Sequence, residues 1–202
     1  MIIFVRNIKN MNIATTSLLE NKKGRRLITL EKFLERYTNR EDPFKYEWNK
    51  GTIEKKNRAT NRDQFLIVEI LMDALYVLKQ KNVRGIFGQE VDMYLPTIDR
   101  TQRADIAYLS HEILKVSKDN RPIVCPFVIE IISKNDQINE VEEKIIEYFE
   151  NGVQVVWVIF PRVKKVEVYT SAKNITICFG DDICTAAPVL DDFQISVNAL
   201  LA

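Results

Sequence analysis

The sequence predicts a single α/β domain built around a mixed β-sheet. Two segments, 62–80 and 137–150, place apolar residues at the i, i+3, i+4 and i+7 spacing that is typical of helices packed against a core. A third segment, 153–160, follows the second helix and is apolar on both faces, as is typical of a central strand covered on both sides. A helix, several strands, a helix and a strand in this order indicate an α/β domain.

Length and composition set the number of domains. A chain of 202 residues forms one ordinary domain, or one domain with a small extension. Apolar residues make up 46% of the chain, which is enough for a sizeable core, and only six glycines and six prolines argue against long disordered tracts. We expect residues 1–28 to form a partly flexible N-terminal extension and residues 29–202 to form the domain.

Charge and cysteine content narrow the function classes only in part. Lysine and arginine total 29 against 28 for aspartate and glutamate, so the net charge of +1 neither indicates nor excludes a nucleic-acid partner. The three cysteines and the single histidine have no metal-ligand spacing, which argues against a zinc site and favours reduced thiols in a cytoplasmic protein. No uncharged run is long enough to span a bilayer, so we expect no membrane partner.

A short helix and a hairpin are predicted before the first long helix. Thr29 is placed to cap a helix over 30–37. The turn Asn49-Lys50-Gly51 lies between aromatic and β-branched residues and predicts a β-hairpin over 46–54. Glu47 lies on the first strand of this hairpin, with its two neighbours pointing to the opposite face.

Three strands are predicted in the middle of the chain, at 86–95, 104–109 and 126–132. The second and third each carry an acidic residue, Asp105 and Glu130, inside an apolar run. Burying a bare charge is expensive, so each carboxylate must be paired or metal-bound if its strand is buried. If the two strands are neighbours in register, both carboxylates can converge on one cation, and Mg²⁺ keeps several waters, so two or three carboxylates make a sufficient site. The alternative is that each residue faces solvent or pairs with a lysine.

Lys144 borders the buried face of the helix predicted over 137–150. That face consists of Ile138, Val141, Ile145, Tyr148 and Phe149. The exposed remainder carries glutamates, among them Glu140 and Glu147, and Lys144 is the only basic residue of the helix. Its amine can reach the two strand carboxylates and a bound phosphate. The alternative is a lysine that extends to solvent and pairs with Glu140 or Glu147 at helical spacing.

The end of the chain predicts further strands. Asn151-Gly152 is expected to end the second long helix in a left-handed cap. Two alternating segments, 165–170 and 174–179, predict a hairpin after the central strand.

Two further groups of residues allow a structural or a functional interpretation. The aromatic residues can stack on bases or belong to the core: Tyr46, Trp48 and Trp157. A basic run can contact a phosphate backbone or form a solvated surface: Lys50, Lys55, Lys56, Arg58 and Arg62.

Several segments, taken in order, resemble the Uma2-type putative restriction endonucleases, a bacterial group within the PD-(D/E)XK nuclease superfamily. The resemblance covers residues 29–200. The segments that carry it are Tyr46–Gly51, Arg103–Tyr108, Phe127–Ser133, Lys144–Tyr148 leading into Gly152–Trp157, and the closing Val189–Ser196. No single segment is diagnostic, but their order and spacing together are fairly specific.

This resemblance implies a restriction-endonuclease-like α/β fold, in which a mixed sheet is flanked by helices and extended by an N-terminal helix and β-hairpin. It also implies metal-dependent cleavage of DNA. Asp105 matches the aspartate of the superfamily motif, Glu130 matches its second carboxylate, and Glu47 matches an acidic residue from the N-terminal side. The resemblance implies that these three residues bind Mg²⁺ or Mn²⁺.

The chain departs from the superfamily pattern after Glu130. The lysine that is expected two residues later is replaced by Ile132, and the family carries its lysine on the following helix, which makes Lys144 the candidate for orienting water or stabilising the transition state. Glu47 has an alternative too, because strand glutamates beside a turn are usually exposed and Glu54 lies on the partner strand.

The leading hypothesis is therefore a Mg²⁺-dependent endodeoxyribonuclease that uses Asp105, Glu130, Glu47 and Lys144. Cutting both strands would favour a homodimer with two sites. A second hypothesis is a catalytically inactive nuclease fold that binds DNA or protein. A third is a hydrolase of small phosphoesters.

Overall fold

A computed structural model describes residues 27–37, 40–57, 62–80, 83–116, 123–134 and 136–202. Nearly all of the predicted extension 1–28 lies outside these residues. The helices are α1 (Leu30–Tyr37), α2 (Arg62–Lys79), α3 (His111–Val116), α4 (Ile138–Glu150) and α5 (Val197–Leu200), with a 3₁₀ turn at Pro161–Val163. The strands are β1 (Phe44–Asn49), β2 (Thr52–Asn57), β3 (Gly85–Leu95), β4 (Arg100–Ser110), β5 (Phe127–Ile131), β6 (Val155–Phe160), β7 (Lys165–Ser171), β8 (Asn174–Phe179), β9 (Ile183–Ala186) and β10 (Leu190–Ser196).

Eight of the strands form one mixed sheet. Their order is β2-β1-β4-β5-β6-β7-β8, and β3 pairs along β4. Strands β5 and β6 are parallel because α4 connects them, and the other pairs are antiparallel. The predicted mixed α/β architecture is confirmed. Within the described residues, β9 and β10 form a separate two-stranded sheet that the sequence did not predict.

Buried apolar residues lie on both faces of the sheet. On one face, α2, α5 and the β9–β10 pair cover an aromatic cluster of Phe87, Phe127, Trp157 and Phe193. On the other face, α4 packs Val141, Ile145 and Tyr148 against the sheet. All residues of β6 except the last are buried, which confirms the prediction of a central strand. Burial of each large apolar side chain contributes about 1.5–3 kcal/mol.

The hairpin and the first helix share a small core of their own. Phe33 of α1 packs with Tyr46 and Trp48 of β1, and the Trp48 indole donates to the carbonyl of Ile28. The backbone amide of Trp48 also donates to Thr101 Oγ1 at 2.7 Å, which fixes the hairpin to β4. These aromatic residues are therefore core residues, and the base-stacking interpretation is not supported.

Helix α4 differs from its predicted amphipathic pattern at two positions. Ile138 was predicted on the buried face but is 51% exposed, because it begins the helix beyond the core. Glu147 was predicted in the exposed remainder but is partly buried, because it accepts a hydrogen bond from Gln102 and pairs with Arg100. The helix ends at Glu150, and Gly152 has a φ of 96°, in agreement with the predicted left-handed cap at Asn151-Gly152.

Two expectations concerned the state of the cysteines and the presence of a membrane-spanning helix. All three cysteines are buried and free, in agreement with reduced core thiols. Within the described ranges, no helix is both long enough and apolar enough to cross a membrane.

The two-residue turn between β1 and β2 yields a first prediction. Lys50 and Gly51 have φ values of 47° and 89°, so both occupy the left-handed region that a hairpin turn of this kind requires. A non-glycine residue in this region destabilises the fold by roughly 1–2 kcal/mol, and asparagine destabilises it less. We expect Lys50→Asn to raise the free energy of unfolding by about 0.5 kcal/mol and Lys50→Val to lower it by about 1 kcal/mol.

Urea unfolding followed by circular dichroism would measure both changes. The Lys50 side chain is exposed, so the comparison isolates the backbone preference. Equal stability of the asparagine and valine variants would contradict this account of the turn.

Candidate active site

The register of β4 and β5 brings the two predicted carboxylates together. Ile106 lies opposite Ile129 and Ala107 opposite Val128 in this antiparallel pair. Continuing the same register by one residue places Asp105 opposite the other predicted carboxylate, that of the third strand. Side chains two residues apart in a strand share a face, so Asp105 lies on the face of Ala107 and Glu130 on the face of Val128. Ala107 and Val128 both pack in the cluster that α4 covers. The structure therefore places the two carboxylates side by side on one face of the sheet.

Lys144 and Tyr148 of α4 bind the Glu130 carboxylate on the face of the sheet that α4 covers. The Lys144 Nζ atom lies 2.8 Å from both carboxylate oxygens of Glu130 and 3.3 Å from the carbonyl oxygen of Arg103. The Tyr148 hydroxyl donates to Glu130 Oε1 at 2.6 Å. Their i, i+4 spacing puts both donors on one side of the helix. Lys144 thus faces the carboxylates, and the alternative pairing with helix glutamates is not observed.

Asp105 is held by two donors that sequence reasoning did not find. The Lys45 Nζ atom lies 2.8 Å from Asp105 Oδ1, and the backbone amide of Ile131 donates to Oδ2 at 2.9 Å. Lys45 also lies 3.3 Å from Glu90 Oε1. The available signal was strand alternation, because Lys45 and Glu47 are two residues apart on β1 and share a face.

Glu47 is buried on β1, the strand next to β4. Its side chain is 3% exposed, so the exposed-glutamate alternative is rejected. Its Oε1 accepts from the Arg103 amide at 3.4 Å, and its Oε2 lies 3.4 Å from Lys56 Nζ and 3.5 Å from Arg100 Nη2. Glu54, its neighbour on β2, pairs with Arg100 at 2.8 Å instead. The structure thus brings Glu47 close to the site, but its oxygens contact basic residues.

The basic run predicted around the hairpin is spread over the surface. Lys56 lies at the mouth of the site between Glu47 and Glu140, and the Lys55 ammonium lies 3.4 Å from the centroid of the Phe44 ring. Arg58 and the Arg62 side chain lie outside what the structure describes.

Burial and neighbouring charges shift the pKa values of the site residues in opposite directions. Burial raises the pKa of Glu130, although the Lys144 ammonium opposes this. Burial also acts to raise the pKa of Asp105, but Lys45 and Lys144 outweigh it and lower this pKa. Burial acts to lower the pKa of Lys144, but Glu130 and Glu47 outweigh it and raise this pKa. Asp105 is therefore ionised and Lys144 protonated at neutral pH.

A cavity of about 280 Å³ opens between the sheet and the first half of α4. Its polar lining includes Asp105, Glu130, Gln137, Glu140, Lys144 and Arg100. The facing carboxylates thus lie at the wall of a space that can admit a small ligand or a phosphate group.

The carboxylate pair has the donor chemistry of a hard divalent cation. Both side chains offer oxygen, and each already binds a cationic ammonium group at 2.8 Å. Among the described residues, no three His, Cys, Asp or Glu side chains form a metal-binding group. A Mg²⁺ ion nevertheless needs only one or two carboxylates, because water completes its octahedron. Asp105 and Glu130 therefore fit Mg²⁺ or Mn²⁺, provided that the ion replaces lysine contacts.

Comparisons with known proteins agree on the fold. The family model described as Uma2, putative restriction endonuclease, matches residues 30–198. The crystal structure of a putative nuclease belonging to DUF820 from Anabaena variabilis is similar, with a TM-score of 0.67 and 19% sequence identity over 86% of this chain and 97% of that chain. At this identity the similarity concerns the fold. None of the curated proteins matches the chain.

The lowered pKa of Asp105 predicts how stability depends on pH. The folded protein binds fewer protons at Asp105 than the unfolded chain, whose aspartate pKa is about 3.9. The stability from ionised Asp105 is therefore present above about pH 4 and is lost as the pH falls through the folded-state pKa. We expect Asp105→Asn to lose about 2–4 kcal/mol at pH 7, and this deficit to shrink below pH 4.

Urea unfolding of both proteins at a series of pH values would test this prediction. The exposed Asp191 offers a matched control, since Asp191→Asn removes an equal charge away from the site. A deficit of Asp105→Asn that stays constant from pH 7 to pH 3 would contradict the prediction.

Proposed function

This chain belongs to the Uma2 putative restriction endonuclease family, and we propose that it is a divalent-metal-dependent endonuclease that hydrolyses DNA phosphodiester bonds. The observation that carries the proposal is the placement of partly buried Asp105 and buried Glu130 on neighbouring strands, with Lys144 on Glu130 and a cavity beside them. Buried carboxylates of this kind favour a cation site, and a basic residue beside them favours an anionic substrate.

Asp105 and Glu130 are the proposed ligands of Mg²⁺ or Mn²⁺. When bound, such an ion polarises the phosphodiester and lowers the pKa of an attacking water. Glu47 is the proposed third carboxylate. Its Oε2 accepts no hydrogen bond from the described residues, which supports this role, but Lys56 and Arg100 would have to release it.

Lys144 is proposed to act on the substrate. Its ammonium is anchored by Glu130 and the Arg103 carbonyl at the wall of the cavity. From this position it can donate to the attacking water or to an oxygen of the pentavalent phosphorus, where charge develops. Ile132 cannot do this, because its aliphatic side chain has no hydrogen-bond donor. The lysine on the helix thus replaces the missing strand lysine.

DNA is the proposed substrate, and Lys56 is the proposed contact with its backbone. Lys56 is 42% exposed at the mouth of the site. Cutting both strands favours a symmetric dimer with two sites, and a homodimer that acts in the cytoplasm is part of the proposal.

A binding module without catalytic activity is the second candidate. The observation that favours it is that a lysine occupies each of the two carboxylates at 2.8 Å. Such ion pairs can hold a nuclease fold together without any metal.

Cleavage of supercoiled plasmid and of single-stranded DNA, in Mg²⁺ and in Mn²⁺, would test the proposed function. We expect the wild type to nick or linearise plasmid and EDTA to abolish the activity. Asp105→Ala should reduce the rate by roughly a thousandfold, because it removes a ligand of the ion that stabilises the transition state. Glu142→Ala is the matched control, since this exposed glutamate of α4 does not line the cavity.

The outcomes separate the candidates. Equal cutting by the wild type and Asp105→Ala would contradict the proposed site. Binding of DNA without cutting in either metal would support the binding module. Turnover of small phosphoesters without DNA cleavage would support a phosphoesterase.

Lys144→Met separates metal binding from catalysis. We expect this variant to lose about a hundredfold in cleavage rate, because it lacks the donor to the transition state, while Mn²⁺ binding persists. Titration calorimetry and the plasmid assay would be run on the same preparation. Lys173→Met in the exposed β7–β8 turn serves as the control. A parallel loss of Mn²⁺ affinity and cleavage would contradict a separate catalytic role.

A further inference from the structure

Lys45 lies inside the site, although the proposed chemistry gives it no role. Its side chain is 16% exposed, and burial of its ammonium is unfavourable unless carboxylates compensate it. Asp105 and Glu90 do so and raise the pKa of Lys45. The ammonium is therefore a permanent positive charge at the wall of the proposed metal centre.

The Lys45 ammonium contacts a carboxylate oxygen that is open to a metal ion. The backbone amide of Ile131 already occupies one lone pair of Asp105 Oδ2, so Oδ1 is the less constrained oxygen toward a cation. Lys45 Nζ lies 2.8 Å from that atom. A cation at Oδ1 and the ammonium at this distance would repel each other strongly, because solvent screens two positive charges only weakly in a partly buried site.

Glu90 offers the ammonium another place to bind. The register of β3 on β4 pairs Gln89 with Ile106 and Val91 with Ala104, which places Glu90 opposite Asp105. Its Oε1 already lies 3.3 Å from Lys45 Nζ. Its Oε2 is buried and accepts no hydrogen bond from the residues that the structure describes. A small shift of the lysine side chain can therefore exchange Asp105 for the second oxygen of Glu90.

We propose that Lys45 is a resident cation that a divalent metal ion must displace from Asp105, and that Glu90 receives the displaced ammonium. The inference rests on the proposed function, since it concerns the same metal centre. Lys45 is in this view a positioning residue. It keeps Asp105 ionised and oriented in the metal-free protein, and it weakens the affinity for metal because the ion and the ammonium compete for one oxygen.

Direct Mn²⁺ binding tests the competition without any activity assay. Titration calorimetry on the full chain at pH 7 would compare wild type, Lys45→Met and Lys45→Arg. We expect Lys45→Met to bind Mn²⁺ about tenfold more tightly, because the competing charge is removed. Lys45→Arg keeps the charge and should stay within about threefold of the wild type.

Lys55→Met provides a charge-matched control on the same hairpin. Lys55 lies on β2 with its ammonium against the Phe44 ring, on the face opposite to the site. Its removal changes the net charge equally and should leave the Mn²⁺ affinity unchanged. Tightening in both lysine variants would show a general charge effect and would overturn the inference.

Glu90→Gln tests the receiving carboxylate. In the wild-type background this variant should weaken Mn²⁺ binding by about tenfold, because the ammonium loses its alternative acceptor. In the Lys45→Met background the same change should matter much less, since no ammonium has to move. This difference between the two backgrounds tests whether Glu90 accepts the displaced ammonium. If Glu90 only attracted the metal ion, Glu90→Gln would weaken Mn²⁺ binding equally in both backgrounds.

The folded state must be verified in parallel. Lys45→Met should lower the melting temperature of the metal-free protein, since it leaves Asp105 without its ammonium, and should enlarge the rise that saturating Mn²⁺ produces. If Lys45→Met does not fold, Lys45→Gln carries the same test because its amide can still donate to Asp105. A folded Lys45→Met protein, or a folded Lys45→Gln protein in its place, that binds Mn²⁺ no more tightly than the wild type would overturn the inference and leave the proposed metal centre standing. No Mn²⁺ binding by any protein would overturn the metal centre and the inference together.

Discussion

Two carboxylates face each other across neighbouring strands in the interior of this fold, and the surrounding structure compensates their charge. Asp105 and Glu130 belong to β4 and β5, whose other residues are nearly all buried. Burial alone would drive both to the protonated form. Two ammonium groups, a tyrosine hydroxyl and a backbone amide bind them instead. Removal of either ammonium group takes the donor from a carboxylate oxygen, Asp105 Oδ1 or Glu130 Oε2, so the site constrains the packing around it.

This requirement links parts of the chain that are far apart in sequence. Helix α4 supplies Lys144 and Tyr148 one turn apart, which is why its buried face contains polar groups among apolar ones. The β1–β2 hairpin supplies Lys45, and its attachment to β4 through Trp48 sets the position of that lysine. The hairpin lies at one edge of the sheet but is thus part of the site.

The sequence predicted what local patterns encode. Helical periodicity defined α2 and α4, turn chemistry defined the hairpin, and acidic residues in apolar runs identified Asp105 and Glu130. Lys45 was missed, because a strand lysine is ordinarily exposed and its partner Asp105 is 60 residues away. The β9–β10 pair was missed because an irregularity between Leu190 and Gln194 breaks the alternation that predicts a strand. Non-local partners and irregular strands leave no periodic signal in one sequence.

The contacts that stabilise the metal-free protein are the contacts that a metal ion has to replace. Lys45 shares its ammonium between Asp105 and Glu90, and Lys144 shares its own between Glu130 and the Arg103 carbonyl. Each lysine therefore has a second acceptor within hydrogen-bonding reach or close to it. If each lysine had only one carboxylate partner, binding of that carboxylate to a metal ion would leave an unpaired ammonium in the interior. An unpaired buried charge destabilises the protein strongly. Duplicate acceptors lower that cost, so a buried and neutralised carboxylate pair is compatible with a centre that opens to a cation.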